Sequence, residues 1–396
     1  MKRKCWFTLS MSLVVALFAG AARADGSEHG GAVRLLTTVP VPAPNHLVVF
    51  DISYVDPETQ LYYLADRSDK AIDVVDARRN VFVRQIRANF KGFTGNNDTS
   101  GPNGVVVSGR FLFVTDANSR IVSIDLRTDT VVSEVSTGGA PGLRADELAY
   151  DPQDGLLLPV NNADSPPFAT LIKVDKKTGK LTVLSRITFT DATNGAEQPV
   201  WEAGTGKFYI SIPELNGNVS DGAVGRISTK GVLETLFHVP NCQPAGLSLG
   251  PRQDLLLGCS AVFDTAGNPW TAASPTSAAP SQVIMDAKTG QIDRVVAGVG
   301  GSDEVWFNDG DGRYYTASRN NPGGPVLGVI DAEDQTLVQV VPTFNTPASS
   351  PPPRGTTHSL AANPRNNHVL VPLPANNVFP ACLDGCIAVF GAPRDD

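Results

Sequence analysis

Apolar and polar positions alternate in short bursts along this chain, and the bursts return in a fixed order. The stretch FDISYVDPETQLYYLADRSDKAIDVVDARRNVFVRQI, beginning at Phe50, holds an apolar strand, an Asp-Pro turn and a second strand. A polar loop follows, then an alternating strand ending in Asp76 and a fourth strand after another turn. Short runs rich in β-branched and aromatic residues, bounded by Gly, Pro, Asn and Asp, predict strands, and helical periodicity is nearly missing. The same order recurs in NGVVVSGRFLFVTDANSRIVSIDLRTDTVVSEV, in DELAYDPQDGLLLPVNNADSPPFATLIKVDKKTGKLTVLSRI and in EQPVWEAGTGKFYISIPELNGNVSDGAVGRISTKGVLETL. A fifth copy starts at AGLSLGPRQDLLLGC and carries an Ala, Ser, Thr and Pro-rich insertion, a sixth starts at SDEVWFNDGDGRYYTAS, and a seventh starts at THSLAANPRNNHVLVPL.

Seven copies of roughly 50 residues have the spacing of four-stranded propeller blades. The predicted fold is therefore all-β, a seven-bladed β-propeller. The seventh copy stops after three strands, which would leave an unpaired edge. The segment GAVRLLTTVPV, Gly31 to Val41, alternates like a strand and is expected to complete that last blade.

The recurring YYLADRSDKAIDVVDARR, LFVTDANSRIVSIDLRT and VIMDAKTGQIDRVV resemble the repeats of YVTN-type seven-bladed propellers over essentially the whole mature chain. That resemblance implies the fold and leaves the chemistry open, since such propellers include binding scaffolds, enzyme subunits and hydrolases. A looser resemblance is to gluconolactonase/regucalcin-like propellers, which implies carboxylates and amides at the inner-strand starts holding a divalent cation. Those propellers have six blades, whereas this chain has seven copies.

Aligning the copies on the turn after the first strand brings Asp51, Asn103, Asp146, Glu197, Ala245, Asp303 and His358 into one register position. The next position holds Ile52, Gly104, Glu147, Gln198, Gly246, Glu304 and Ser359. First strands line a propeller's central channel, so both sets should converge on the axis. Carboxylates gathered there repel one another unless a cation or hydrogen-bond donors offset them. A divalent cation, calcium or zinc, is one expectation, with Asp51, Asn103, Asp146, Glu197 and Asp303 as ligands and Gln198 as a further ligand-binding group. A polar channel bridged by water is the other. If the chain is an enzyme, His358, His46, Glu147 and Glu304 are the candidate acids and bases, with His46 and His358 meeting Asp51 in a cluster between the first and last blades. The long loops RANFKGFTGNNDTSGP and VNNADSPPF and the insertion of the fifth copy are expected to shape the mouth. Aspartates ending the third strands, such as Asp76, Asp125 and Asp331, read as turn formers.

The first 24 residues change the picture of location. MKRK, the apolar CWFTLSMSLVVALFAG and Ala22-Arg23-Ala24 read as a signal peptide, so residues 25–396 are expected to form the single propeller domain, periplasmic or secreted. The formal net charge of −8 becomes −12 once Lys2, Arg3, Lys4 and Arg23 are removed, which argues against nucleic acid as a partner. No later run is long and apolar enough for membrane insertion. Four cysteines remain, allowing three pairings, of which Cys242 with Cys259 and Cys382 with Cys386 close the shortest loops.

Three functions follow as expectations: an exported monomeric propeller that binds a small ligand, a cation or a partner protein; a metal-dependent lactone or ester hydrolase; and a propeller subunit of a periplasmic redox enzyme.

Overall fold

Each repeat folds as a four-stranded antiparallel sheet, and the seven sheets stand in a ring. The structure is a computed structural model and describes residues 31–42, 46–271, 274–322, 324–343, 357–375 and 380–393. The expected signal peptide lies outside the described residues. Blades one to six occupy residues 50–86, 105–136, 148–188, 199–240, 242–297 and 305–342. In each, the strands run from the axis outward in chain order. The first strand of every blade contacts that of the next, and the seventh contacts the first, which closes the ring.

Blade seven takes three strands from residues 361–391 and its outermost strand, Arg34–Pro40, from the other end of the chain. That strand pairs antiparallel with Cys386–Gly391, Arg34 opposite Gly391 and Pro40 opposite Cys386, with one bulge between Leu35 and Thr37. The expected closure between the two ends of the chain is thus present.

The apolar runs lack a polar face because both faces of a blade are covered. Side chains alternate across a strand, so Tyr62 and Leu64 pack toward blade seven, whereas Tyr63 and Ala65 pack toward blade two. The described residues form seven apolar clusters, one in each gap between neighbouring blades. Fully burying one such side chain contributes roughly 1.5–3 kcal/mol, so the core is a belt of wedges around a polar hub.

Hairpin turns follow the expected chemistry. The Asp76 carboxylate accepts hydrogen bonds from the backbone of Arg78 and Arg79 at 3.0 and 2.9 Å, and Asp331 does the same for Glu333 and Asp334 at 2.9 and 2.8 Å. Both local disulfides are formed, Cys242–Cys259 and Cys382–Cys386, with Cα separations of 5.3 and 5.2 Å.

Candidate functional site

Two consecutive residues at the start of each first strand build the hub. The second of the pair donates its backbone N–H to the carbonyl of the first of the pair in the next blade: Ile52 to Asn103 at 3.3 Å, Gly104 to Asp146 at 3.2 Å, Gln198 to Ala245 at 3.4 Å and Glu304 to His358 at 3.0 Å. This girdle brings neighbouring blades so close that a Cβ on Gly246 would lie 1.9 Å from the Asp303 carbonyl oxygen. Glycine is required there by the approach of backbone to backbone.

The two register positions face different spaces. Asp51, Glu197, Ala245, Asp303 and His358, from the first position, line an upper chamber of about 920 Å³. Ile52, Gly104, Glu147, Gln198 and Glu304, from the second, line a lower chamber of about 370 Å³. Adjacent residues of one strand therefore serve opposite halves of the axis.

In the upper chamber the acids are met by arginines. The Arg67 guanidinium donates to Asp51 Oδ2 and, at 2.6 Å, to the side-chain oxygen of Asn103. Arg144 reaches Asp51 Oδ2 at 3.3 Å and Asp146 Oδ2 at 2.9 Å, and Arg319 reaches Asp303 Oδ2 at 2.9 Å. His358 Nε2 lies 3.0 Å from Asp51 Oδ1, and its ring stacks on Phe50 with centroids 5.3 Å apart. The Asn103 amide donates to the Ala145 carbonyl at 2.6 Å, which fixes its oxygen toward Arg67.

Charge is distributed unevenly among these acids. Burial raises the pKa of Asp51, but Arg67, the bond to His358 and Arg144 outweigh it and hold the carboxyl well below the usual range. For Asp146, burial and the charge on Asp51 prevail over Arg144 and push the pKa up to about 6. Burial, with Asp146 and Asp303 nearby, pushes Glu197 up to about 8, so at neutral pH it is mainly a protonated hydrogen-bond donor. Three guanidinium groups thus face three ionisable aspartates and one neutral acid.

Asp51, Asn103, Asp146, Glu197 and Asp303 accordingly gather at one end of the axis, as the register predicts. Among the described residues, no group of three or more His, Cys, Asp or Glu side chains is arranged to hold a metal ion. A divalent ion in the upper chamber would have to displace guanidinium groups from Asp51, Asp146 or Asp303.

His46 is not brought to this cluster. It is exposed and pairs with Asp384 at 3.4 Å. The neighbouring Leu47 explains why, since its backbone is tied into blade seven by bonds from its N–H to the Asp384 carbonyl and from Ala375 N–H to its own carbonyl. Of the mouth loops, the one following Arg87 lines the upper chamber through Phe93 and residues 95–98. The loop after Val160 does not line it, because the Asn161 amide turns to Ser119 and the Arg144 carbonyl at 3.0 and 3.2 Å. The fifth-blade insertion packs Trp270 and Ala278 on the apolar cluster between blades four and five. Asn194, in the loop before blade four, and Pro213 of that blade line the chamber instead.

The arginines were not foreseen from the sequence. A second strand runs antiparallel to the first and so ends where the first begins. Arg67 and Arg319 each follow the last residue of a second strand, Asp66 and Ser318, and the repeat alignment could have singled out that position.

No family model matches the chain, and no curated protein matches it in sequence. In fold it is similar to a solved structure of Kuenenia stuttgartiensis hydrazine synthase, with a TM-score of 0.61 over 85% of this chain and 95% of that one. At 12% identity that likeness supports the propeller architecture alone.

Proposed function

We propose that this is an exported binding propeller whose upper chamber captures a small polar molecule carrying both hydrogen-bond donors and acceptors, such as a zwitterion or a polyol. The observation that carries this reading is the array of Arg67, Arg144 and Arg319 against Asp51, Glu197 and Asp303 in one chamber of about 920 Å³, with Arg144 also paired to the buried Asp146. The volume lies within the range of small-molecule sites. Preorganised charges of both signs favour a ligand that can replace their present partners group for group. The leader-like first 24 residues and the two disulfides support export, and the YVTN-like repeats support membership of that propeller family.

A thermal-shift screen of amino acids, sugars and divalent cations tests the reading. A ligand of the proposed kind should raise the melting temperature of the wild type and leave Arg319→Gln unmoved, because Arg319 is the most exposed of the three arginines. A shift produced only by calcium or zinc, and erased by Asp303→Asn, would replace the captured molecule with a cation.

One observation supports a hydrolytic second reading. The Asp51–His358 pair presents an oriented imidazole to the chamber, as proton transfer requires. Turnover of a lactone and aryl-ester panel, lost in His358→Asn, would favour it, and the same panel with chelator would show whether a metal takes part. The redox-subunit reading has only the shared fold behind it.

A further inference from the structure

The lower chamber differs from the upper in chemistry and is not needed for the reading above. Its inner end carries Glu147 and Glu304, which are 6% and 1% exposed. Three to four residues beyond the first axial position of their blades come Tyr54, Tyr150, Trp201, Trp306 and Phe307, about 10 Å farther along the axis at a strand's rise per residue. All five rings are half-buried, and Tyr54 meets Trp306 edge-on with centroids 5.7 Å apart. Among the described residues, no lysine, arginine or histidine lines this chamber.

Glu304 is incompletely satisfied. Its Oε2 accepts from Ser359 Oγ at 2.5 Å and from the Leu360 N–H at 2.9 Å, while the buried Oε1 has no partner. An orphaned buried carboxyl oxygen costs free energy unless something else meets it. The upper chamber answers its acids with guanidinium groups, and the lower chamber has no such answer of its own. Burial holds both glutamic acids well above the ordinary range, reinforced at Glu147 by neighbouring acids and prevailing at Glu304 over the bonds from Ser359 and Leu360, and so favours their neutral forms.

We infer that the lower chamber binds a small organic ammonium ion, its nitrogen against Glu304 and Glu147 and its carbon skeleton among the rings of Tyr54, Tyr150, Trp201, Trp306 and Phe307. Aromatic faces attract organic cations, and a paired carboxylate adds a charge-assisted hydrogen bond. A bare divalent ion fits less well. Calcium asks for six to eight oxygen ligands and favours carboxylates, whereas among the described residues lining this space only Glu147 and Glu304 carry carboxyl groups, and the Gln198 oxygen already accepts from the Leu247 N–H at 2.7 Å. At about 370 Å³ the chamber suits a molecule of few heavy atoms.

Trp201 and Trp306 make the test direct, because among the described residues only Trp270 lies elsewhere. Tryptophan fluorescence of the purified protein is followed while benzylammonium, butylammonium or the neutral benzyl alcohol is added. The expected result is a saturable change with the two cations, at concentrations at least tenfold below any response to the alcohol. Glu304→Gln and Glu147→Gln should each weaken cation binding at least tenfold and remove the preference over the alcohol. A thermal melt of each variant verifies its fold, and should neither fold, the cation-to-alcohol ratio of the unaltered chain decides alone. Equal responses to cation and alcohol, no saturable response to either cation, or full affinity in folded glutamine variants would overturn the inference. Because the readout sits in the lower chamber, none of these results bears on the upper one.

Discussion

Buried acids are the residues whose behaviour departs most from expectation, and blade one holds a second group of them away from the axis. Asp66 and Asp73 are both fully buried; Gln85 donates to Asp73 Oδ1 at 2.9 Å and to Asp69 at 2.8 Å, and Asp66 caps the turn at Ser68. Burial raises both acids, prevailing at Asp73 over the Gln85 bond and the more distant Arg87 to bring it to about 7. In the unfolded chain the same aspartate loses its proton near pH 4. Between those values the folded state retains a proton that the unfolded state has released, so stability falls as the pH rises from about 4 to about 7. Asp73→Asn, which cannot ionise, should escape that share of the loss. Urea denaturation at pH 4.5, 5.5 and 7.5 should show the variant gaining on the wild type at each step, by roughly 1 kcal/mol per pH unit or less. A gap that stays constant with pH would mean that Asp73 does not hold a proton in the fold.

At the scale of strands and loops, what was legible in the sequence was whatever follows from the repeat. The alternation of side chains and the turn after each first strand put Asp51, Asp146, Glu197, Asp303 and His358 at one level and Glu147 and Glu304 at the next, because a strand's period of two leaves little freedom once the turn is aligned. Contacts made by loops were not legible. Arg144 reaches the axis from the segment before blade three, and His46 lies five residues before Asp51 yet is held at blade seven by the backbone of Leu47. Separation along the chain says little once a segment is anchored from elsewhere. The disulfides show where a strand itself needs help. In blade five the ladder between the first two strands shifts register on both sides of Pro244, which has no N–H to donate, and Cys242–Cys259 bridges that interval. Its 17-residue separation corresponds to about 3 kcal/mol of chain-entropy stabilisation, against about 2 kcal/mol for the 4-residue separation of Cys382–Cys386. Replacing Cys242 and Cys259 by serine should therefore lower the urea midpoint more than replacing Cys382 and Cys386. The opposite order would show that the bulged ladder holds without its bridge.

For the molecule as a whole, both chambers exist only because the ring is closed, and closure depends on one short strand. Arg34–Pro40 covers the edge of Cys386–Gly391, and its flanks reach further. Val33 exchanges two 2.9 Å hydrogen bonds with the Gln339 side chain of blade six, through its N–H and its carbonyl. Val39 and Val41 pack with Phe50 and Leu64 of blade one. One segment thus joins blades six, seven and one, and its pairing with Cys386–Gly391 is a seam inside blade seven where strands from opposite ends of the chain meet through hydrogen bonds and packing. Val33, Val39 and Val41 are 2%, 1% and 9% exposed. At roughly 1.5–3 kcal/mol for each valine, their removal should cost about 4.5–9 kcal/mol, and the bared edge of blade seven would invite pairing with other chains. Deleting residues 31–42 should then lower the melting temperature by roughly 6–12 °C and broaden the size-exclusion profile toward larger species. A synthetic peptide of residues 31–42 added in trans should restore both, since strand addition needs the sequence and not its connection. A deletion variant that melts with the wild type and elutes as a single species would place the closure of the ring in the inner strands alone, and the N-terminal strand would then be a cover over blade seven with no share in holding the hub together.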